Sequence, residues 1–257
     1  MNGAFEVGAV ALRADQKALE LLANNIANVN TPAFKRSDAR FSAILANQTR
    51  DDGTPAAVTG DNLLATGGVR IAARAMLFSQ GEIRPTGNPL DLAIDGQGFI
   101  ELMGPGGQTL LWRGGTLRVN EDGALVTLDG LPLHAGITVP ADATRLTISA
   151  EGMVKAEGAN GEVVELGQIG LVRADHEDML EQLDGGLLRA ADNARLTDAL
   201  PGEDGAGRMV QGALEGANVE LTEEMVQMLV IQRAFAANAQ ALQTADQLAA
   251  ITNNLKK

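Results

Sequence analysis

Apolar residues recur at heptad spacing near both ends of the chain, while the middle of the chain alternates in short runs. Apolar residues at the a and d positions of a heptad form a continuous seam along one side of a helix. Such a seam predicts an N-terminal helix that ends at Asn30-Thr31-Pro32, because the residue before a proline resists the α region. The seam of this first helix contains Leu12, Leu19, Leu22, Ile26 and Val29.

A second helix is predicted over about residues 220–253, where neither Gly nor Pro interrupts the chain. At 1.5 Å per residue this helix would be about 50 Å long. Such a length is typical of a coiled coil or a filament subunit. Two ordinary amphipathic helices packed on a core are the alternative. The seam of the second helix contains Leu221, Met225, Met228, Gln232, Phe235 and Leu242.

The middle of the chain has the period-two pattern of β-strands. In the run LDLAID, Leu90, Leu92 and Ile94 share one face. The same alternation places Asp91 and Asp95 on the polar face. Many short strands separated by Gly-containing turns predict an antiparallel sandwich or barrel-like domain. The remaining runs of this kind are 99–102, 110–113, 117–120, 124–128, 136–140, 145–149, 153–157 and 163–172.

Together these patterns predict an α+β fold. The N- and C-terminal helices pair as a coiled coil, and a central antiparallel all-β domain and an extended connector lie between them. Residues 46–68 are rich in Gly, Thr, Asp and Asn, which is typical of a loop or connector. The predicted parts are an N-terminal helix in 1–36, a connector in 37–80, the β domain in 81–212 and a C-terminal helix in 213–257.

Composition excludes several classes of partner. The net charge of -13 argues against binding to nucleic acid or to anionic membranes, because both need positive charge on the protein. The chain has no cysteine, so neither disulfides nor thiolate chemistry can contribute. No stretch has the length and hydrophobicity of a membrane-spanning helix, so direct membrane insertion is not expected. The N-terminus lacks the basic and apolar regions of a cleaved secretory signal.

No arrangement of residues predicts catalysis, a cofactor or a metal site. The two histidines, His134 and His176, lack a companion at ligand spacing. Asp91 and Asp95 could form a carboxylate pair of the glycosidase type, but strand alternation explains them more simply. The layout that remains is two apolar helices around a β domain. Chain ends that pack against copies of themselves by non-closing contacts produce helical polymers.

Three segments resemble signatures of the bacterial flagellar axial proteins, the family of rod, hook and hook-associated subunits. They are ANNIANVNTPAFKR at 23–36, GNPLDLAIDGQGF at 87–99, and EGANVELTEEMVQMLVIQRAFAANAQALQTADQL at 215–248. The chain length and segments 68–99 and 137–154 most resemble the distal-rod members, with the proximal-rod members as the alternative. Ala33 replaces the Gly that is customary in the first signature, which makes a positive φ less comfortable there.

The resemblance implies a structural subunit that polymerises into a hollow helical drive shaft and transmits torque from motor to hook. It implies export by the flagellar type III apparatus without a cleaved signal peptide, and a place in the basal-body rod that crosses the periplasm. The implied partners are copies of the chain itself, other rod proteins, the hook protein and the ring proteins that act as bushings. Less favoured hypotheses are a flagellar accessory protein that does not polymerise and an enzyme that remodels the cell wall.

The asparagines near the end of the first helix lie largely off its apolar seam. Amide side chains suit half-buried contacts that repeat around a helical lattice. We therefore predict that these asparagines join the two seams in the assembly interface. The predicted interface residues are Leu12, Leu19, Leu22, Asn24, Asn25, Ile26, Asn28, Val29, Asn30, Leu221, Met225, Met228, Gln232, Phe235 and Leu242.

Overall fold

A computed structural model describes residues 2–44, 68–191, 193–203 and 205–254. Its fold is α+β, as predicted. Helix α1 spans Asn2–Ala27 and helix α2 spans Leu221–Asn254, close to the predicted 220–253. Residues 46–67 of the predicted loop 46–68 lie outside the described residues. The strands are β1 Ser37–Ile44, β2 Gly68–Met76, β3 Ile83–Pro85, β4 Asp91–Asp95, β5 Ile100–Met103, β6 Thr109–Trp112, β7 Gly114–Val119, β8 Leu125–Thr127, β9 Ala143–Ile148, β10 Met153–Gly158, β11 Val163–Gln168, β12 Leu171–Ala174, β13 Leu180–Gln182, β14 Leu187–Ala190, β15 Leu196–Ala199, β16 Arg208–Gln211 and β17 Ala213–Glu215.

The chain divides into two compact units. The helical unit contains α1, the two-stranded sheet of β1 and β2 as far as Ala75, and α2 from Glu220 onward. The β unit contains residues 28–36 and 76–219. Residues 28–36 therefore group with the β unit, whereas the predicted boundary at residue 36 assigns them to the helical domain. The predicted division into domains stays a prediction.

The β unit is built from small antiparallel sheets. One has the strand order β16-β4-β7-β8, a second β13-β14-β6-β5 and a third β11-β10-β9. Two further pairs are β12 with β15 and β17 with β3. The main core draws on several of these sheets, and aliphatic side chains dominate it. Its largest fully buried members include Leu92, Ile94, Ile100, Leu102, Leu117, Leu125, Leu133, Ile137 and Ile169.

Strand β4 departs from the predicted alternation. Asp91 is buried instead of facing solvent, and Ala93 is buried as well. Pairing with β16 and β7 occupies both edges of β4, and β17 also packs close to β4, so this strand lies inside the β unit. The Asp91 carboxylate accepts hydrogen bonds from Thr86 Oγ1 at 2.5 Å, Thr116 Oγ1 at 2.8 Å and Asn88 Nδ2 at 2.9 Å. Asp91 therefore fixes a turn and is not part of a catalytic carboxylate pair.

One predicted helix end and one predicted strand are wrong. Helix α1 ends at Ala27, not at Asn30-Thr31-Pro32. The chain turns early because the Asn28 carbonyl accepts the Thr31 N–H at 3.0 Å, and the Asn28 side chain accepts the Thr31 hydroxyl at 3.1 Å. Such local bonds compete with the helix ladder. The run 136–140 forms no named strand and contributes only an isolated bridge between Ala124 and Thr138.

Candidate assembly surface

Residues 28–36 form a loop that is held to the β unit by a buried lysine. The Lys35 side chain is 1 % exposed, and its Nζ lies 2.5 Å from Glu215 Oε1. The same ammonium group donates to the carbonyl of Ser79 at 3.0 Å. Burial lowers the pKa of Lys35 below its ordinary value of 10.5, and the carboxylate of Glu215 opposes that shift. A buried lysine stays charged only beside such a partner.

Glu215 is the centre of this buried cluster, and its side chain is 0 % exposed. Its second oxygen, Oε2, accepts from Arg113 Nε at 3.2 Å and from Arg113 Nη2 at 3.0 Å. The backbone N–H of Gly81 donates to Oε1 at 3.0 Å. Every lone pair of one carboxylate is thus used by three separate segments of the chain. Such a fully satisfied polar network specifies one arrangement of the segments that form it.

Arg113 ties the cluster to the apolar core. Its Nη1 donates to the carbonyl of Gly98 at 2.8 Å, and its Cζ lies 5.7 Å from the centre of the Phe99 ring. Phe99 packs edge-to-face on Phe78 with ring centres 6.0 Å apart. The cluster carries two cations for one fully buried anion. Half-buried Glu177 lies close enough for Arg113 and Lys35 to oppose the rise in its pKa that burial causes.

Asn218 holds the far end of the loop. Its Oδ1 accepts the backbone N–H of Arg36 at 2.6 Å. Its Nδ2 donates to the carbonyls of Leu77 at 2.6 Å and Ser79 at 3.0 Å. Both Glu215 and Asn218 belong to the motif EGAN, which opens the C-terminal signature. The N-terminal and C-terminal signatures therefore meet in the β unit through named polar side chains.

Ala33 stands where the family signature has Gly, and a positive φ is unfavourable for a residue with a Cβ. Its φ is +56°, in the left-handed region, and its side chain is buried. The Ala33 N–H donates to the carbonyl of Glu215 at 2.8 Å, so the loop fixes this conformation. A left-handed conformation costs a residue with a Cβ about 1–2 kcal/mol, whereas Gly adopts it freely. The backbone at Ala33 thus has the positive φ that favours Gly, and the strain expected from a Cβ there stays a prediction.

The side chain of Asn25, one of the predicted interface residues, makes its hydrogen bonds within the chain. Its side chain is 0 % exposed and makes its contacts inside the helical unit. Its Oδ1 accepts the N–H of Ser37 at 2.9 Å, and its Nδ2 donates to the carbonyl of Ser37 at 2.8 Å. The same amide donates to Glu224 Oε2 at 3.0 Å. Asn25 therefore links α1 to the start of β1 and to α2 within one chain, and its predicted place in an assembly interface stays a prediction.

Helices α1 and α2 pack against each other in opposite directions. The end of α1 meets the start of α2 through Asn25 and Glu224. Farther along, Asn238 Nδ2 donates to Asp15 Oδ2 at 2.8 Å. A Cβ built on Gly8 would lie 3.0 Å from Leu242 Cδ1, so the backbones approach closely there. The buried row of α1 consists of Ala14, Ala18, Leu21, Leu22 and Asn25. The predicted seam includes Leu22 but omits Leu21 and the two small residues Ala14 and Ala18.

The side of α2 away from α1 carries exposed apolar residues near both ends of the helix. Glu224, Asn238 and Leu242 define the side that contacts α1. At about 100° per residue, from 3.6 residues per turn, the outward side falls roughly opposite them. We call the exposed apolar residues on that side the outward strip. They are Met225, Val226, Leu229, Val230, Leu248 and Ile251.

The predicted interface residues fall into three groups of exposure. Leu22 and Asn25 are buried, so their surfaces are already used within the chain. The half-buried members are Leu12, Leu19, Ile26, Asn28, Val29, Met228 and Leu242. The exposed members are Asn24, Asn30, Leu221, Met225, Gln232 and Phe235. Asn28, Val29 and Asn30 lie in the loop of the β unit, not on α1. Participation of this set in an assembly interface stays a prediction.

The clefts and acidic groups of the described residues give no catalytic arrangement. The described part of the chain contains no group of three His, Asp or Glu residues placed to hold a metal ion. A cleft of about 480 Å³ in the β unit is lined by His134 and Glu101 among others. Their nearest side-chain atoms are 3.5 Å apart, and His134 is largely exposed. Among the helices that the structure describes, none combines the length and the apolar character needed to cross a membrane.

Comparison with known proteins identifies the family. Family models match three parts of the chain: flagella basal body rod protein over residues 5–35, flagellar hook protein FlgE/F/G D1 domain over 93–156, and flagellar basal body rod FlgEFG protein C-terminal over 210–255. The flagellar basal-body rod protein FlgG of Borreliella burgdorferi is 35 % identical over 100 % of both chains. The chain belongs to the family of flagellar basal-body rod proteins. Rod proteins are structural and non-enzymatic.

Two relatives from a single organism help to place the chain within the rod family. The FlgG protein of Caulobacter vibrioides is 35 % identical over 98 % of this chain and 99 % of the relative. The FlgF rod protein of the same organism is 31 % identical over 96 % of this chain and 95 % of the relative. Both cover nearly the whole chain, so the predicted resemblance to rod proteins is confirmed. The higher identity lies with FlgG, in agreement with the predicted likeness to the distal-rod members.

Proposed function

We propose that this chain is a structural subunit of the distal part of the flagellar basal-body rod, where copies of it polymerise into a hollow helical shaft that transmits torque from motor to hook. The observation that carries the proposal is the group of exposed apolar residues on the side of α2 opposite the one that packs on α1. A surface helix of a globular protein keeps its apolar residues on one side. A helix with apolar residues on opposite sides needs cover on both.

The outward strip is where a second copy would provide that cover. Met225, Leu229 and Val230 are more than half exposed, although apolar side chains of this size are usually buried. They lie close together on the first turns of α2. Burying such side chains stabilises an assembly by about 1.5–3 kcal/mol for each residue that is fully covered. Repeated in every copy, this contribution favours a continuous polymer, and coiled-coil packing of helices from neighbouring copies is its simplest geometry.

The buried cluster around Glu215 supports the mechanical part of the proposal. A subunit that transmits torque has to keep its shape under load. Lys35, Arg113 and Glu215 join segments far apart in sequence through charge-assisted hydrogen bonds. Such bonds are stronger than those between neutral groups. The signature residues thus stiffen the β unit, while the assembly contacts come from the helices.

The remaining parts of the proposal rest on the family resemblance. They are contacts with other rod proteins, with the hook protein and with the ring proteins that act as bushings. They also include export by the flagellar type III apparatus without a cleaved signal peptide, and a position in the periplasm. The lower identity to the FlgF protein makes a proximal-rod position the alternative within the family.

Polymerisation of the purified chain tests the proposal. We expect wild type to form filaments above a critical concentration, measured by sedimentation and seen by electron microscopy. Leu229→Asp places a charge on the outward strip and is expected to abolish filaments while leaving the circular dichroism of the helices unchanged. Leu128→Asp is the matched control, because Leu128 is an equally apolar and highly exposed residue of the β unit. Normal filaments from Leu229→Asp would refute the role of α2.

A further inference from the structure

Sulfur oxidation in this protein can occur only at methionine. The chain contains no cysteine and no tyrosine, and it has a single tryptophan. That tryptophan, Trp112, is buried in the core of the β unit. Two-electron oxidants react with thiolates and thioethers, and reactivity follows exposure of the sulfur group. The exposed methionines are therefore the first targets of a peroxide.

Exposure singles out two methionines among the described side chains. Met225 is 54 % exposed and Met103 is 48 % exposed. Met209 is buried at 3 %. The half-buried methionines of the described residues are Met76, Met153, Met179 and Met228. Met225 and Met103 should therefore be oxidised at similar rates.

The two exposed methionines differ in their surroundings. Met225 belongs to the outward strip of α2, one helical turn before Leu229, so the two side chains share a surface. Val226 and Val230 extend that apolar surface. Met103 ends strand β5 in the β unit and has no place on the strip. The chain thus contains both a sensitive methionine and an internal control.

We propose that Met225 is an oxidation site through which hydrogen peroxide blocks polymerisation of the free subunit. The inference rests on the proposed function, in which the outward strip becomes buried between copies. A lone pair of the thioether sulfur attacks one peroxide oxygen, and the O–O bond breaks as the S–O bond forms. The proton on the transferred oxygen passes to the departing hydroxide, which leaves as water. The sulfur loses two electrons and the peroxide gains them.

Oxidation of Met225 places a polar group on the outward strip. The sulfoxide is polar and chiral, in contrast with the flexible apolar thioether. In a packed interface its oxygen would lack a hydrogen-bond partner beside Leu229 and the valines, and an unsatisfied buried polar group is costly. Because every copy carries the same lesion, each contact of the polymer is weakened. Methionine sulfoxide reductases reverse the lesion, so the block is a reversible switch.

The test compares oxidised and unoxidised chains in the polymerisation assay. The soluble full-length chain is treated with hydrogen peroxide, the oxidised sites are located by mass spectrometry, and the critical concentration is measured. The variants Met225→Leu and Met103→Leu are treated in parallel, since Leu is close to Met in volume. Part of the oxidised wild type is then reduced with methionine sulfoxide reductases.

We expect oxidation to raise the critical concentration of wild type and of Met103→Leu by about tenfold or more, as loss of one buried contact of this kind predicts. Oxidised Met225→Leu should polymerise like its unoxidised form, and enzymatic reduction should restore wild type. If oxidised wild type polymerises normally, or if reduction restores nothing, the switch is refuted while the proposed function stands. If unoxidised wild type fails to polymerise, the proposed function fails and the switch fails with it.

Discussion

Replacing Glu215 by Gln tests the idea that one carboxylate locks the signature segments together. The substitution keeps the shape of the side chain and removes its charge. Glutamine also places an NH₂ group where Glu215 now accepts bonds only. That group would face the donors of Lys35 or of Arg113, and both are themselves almost fully buried.

The structure sets the size of the expected effect. Glu215 is paired with Lys35 at 2.5 Å and with Arg113 at 3.0 Å, and it accepts a further bond from Gly81. Removing one partner of a buried ion pair costs about 3–5 kcal/mol, because the remaining charge is left uncompensated. Two cations would be left here, so we expect a loss at the upper end of that range. The free energy of unfolding of a whole domain is only about 5–15 kcal/mol.

Urea denaturation followed by the fluorescence of Trp112 measures this loss. Trp112 lies in β6, so its signal reports on the β unit. Glu82→Gln is the matched control, because Glu82 pairs with Arg84 at 2.8 Å while both side chains are largely exposed. An exposed pair contributes about 0–1 kcal/mol. If Glu215→Gln unfolds within 1 kcal/mol of Glu82→Gln, the reasoning about the cluster is wrong.

Three further substitutions test other parts of the account. Ala33→Gly should raise the free energy of unfolding by about 0.5–1 kcal/mol by removing the left-handed strain at Ala33, and an unchanged or lower value in urea denaturation would contradict this. Asn25→Leu should lower the free energy of unfolding of the helical unit by about 3 kcal/mol in thermal denaturation, because it removes the buried bonds of the Asn25 amide to the backbone of Ser37, whereas Gln16→Leu, at an exposed position of the same helix, should change it by less than about 0.5 kcal/mol. Burial raises the pKa of Glu177 in the folded chain above 4.5, so the stability of wild type falls as the pH rises from 4.5 through that pKa. Glu177→Gln lacks this titration, so its stability relative to wild type should increase between pH 4.5 and neutral pH. A difference in stability that is constant with pH would refute the assignment.

The parts of the fold that depend on local patterns could be predicted. The apolar repeat and the absence of Gly and Pro placed α2 within a residue of its observed ends. Turn residues separated most of the strands correctly. Strand β4 shows the limit, since alternation assigned Asp91 to the surface. The second face of β4 is covered by residues such as Thr86, Asn88 and Thr116, which bind the Asp91 carboxylate, and the pattern within a single strand carries no information about such partners.

The polar contacts of the signatures could not be predicted, because they join residues that are distant in the sequence. Lys35 and Glu215 both lie in the quoted motifs, yet nothing in either motif shows that the two side chains meet. Gly81 is a further case: a Cβ there would lie 1.9 Å from the carbonyl oxygen of Gly216, so only Gly fits. The signal that could have suggested the cluster is the presence of the charged residues Lys35 and Glu215 within the signature segments, because a charged residue is rarely buried without a partner.

The seams of the helices were predicted in part. Heptad spacing of the large residues selected Leu12, Leu19 and Ile26 on α1, and all three are half-buried. The most buried row instead includes Ala14 and Ala18. Small residues contribute little to a hydrophobic pattern but let two helices approach closely, as Gly8 does beside Leu242. A search for heptads of large apolar residues therefore misses the contribution of small residues to helix packing.

A helical reconstruction of the polymer by electron cryomicroscopy would show which surfaces join the copies. We expect Met225, Leu229 and Val230 of each copy to lie within van der Waals contact of helices from neighbouring copies. It also predicts that Lys35, Arg113 and Glu215 keep their contacts inside each subunit. A polymer in which the outward strip faces solvent or an open channel, with the copies joined through other surfaces, would contradict the account.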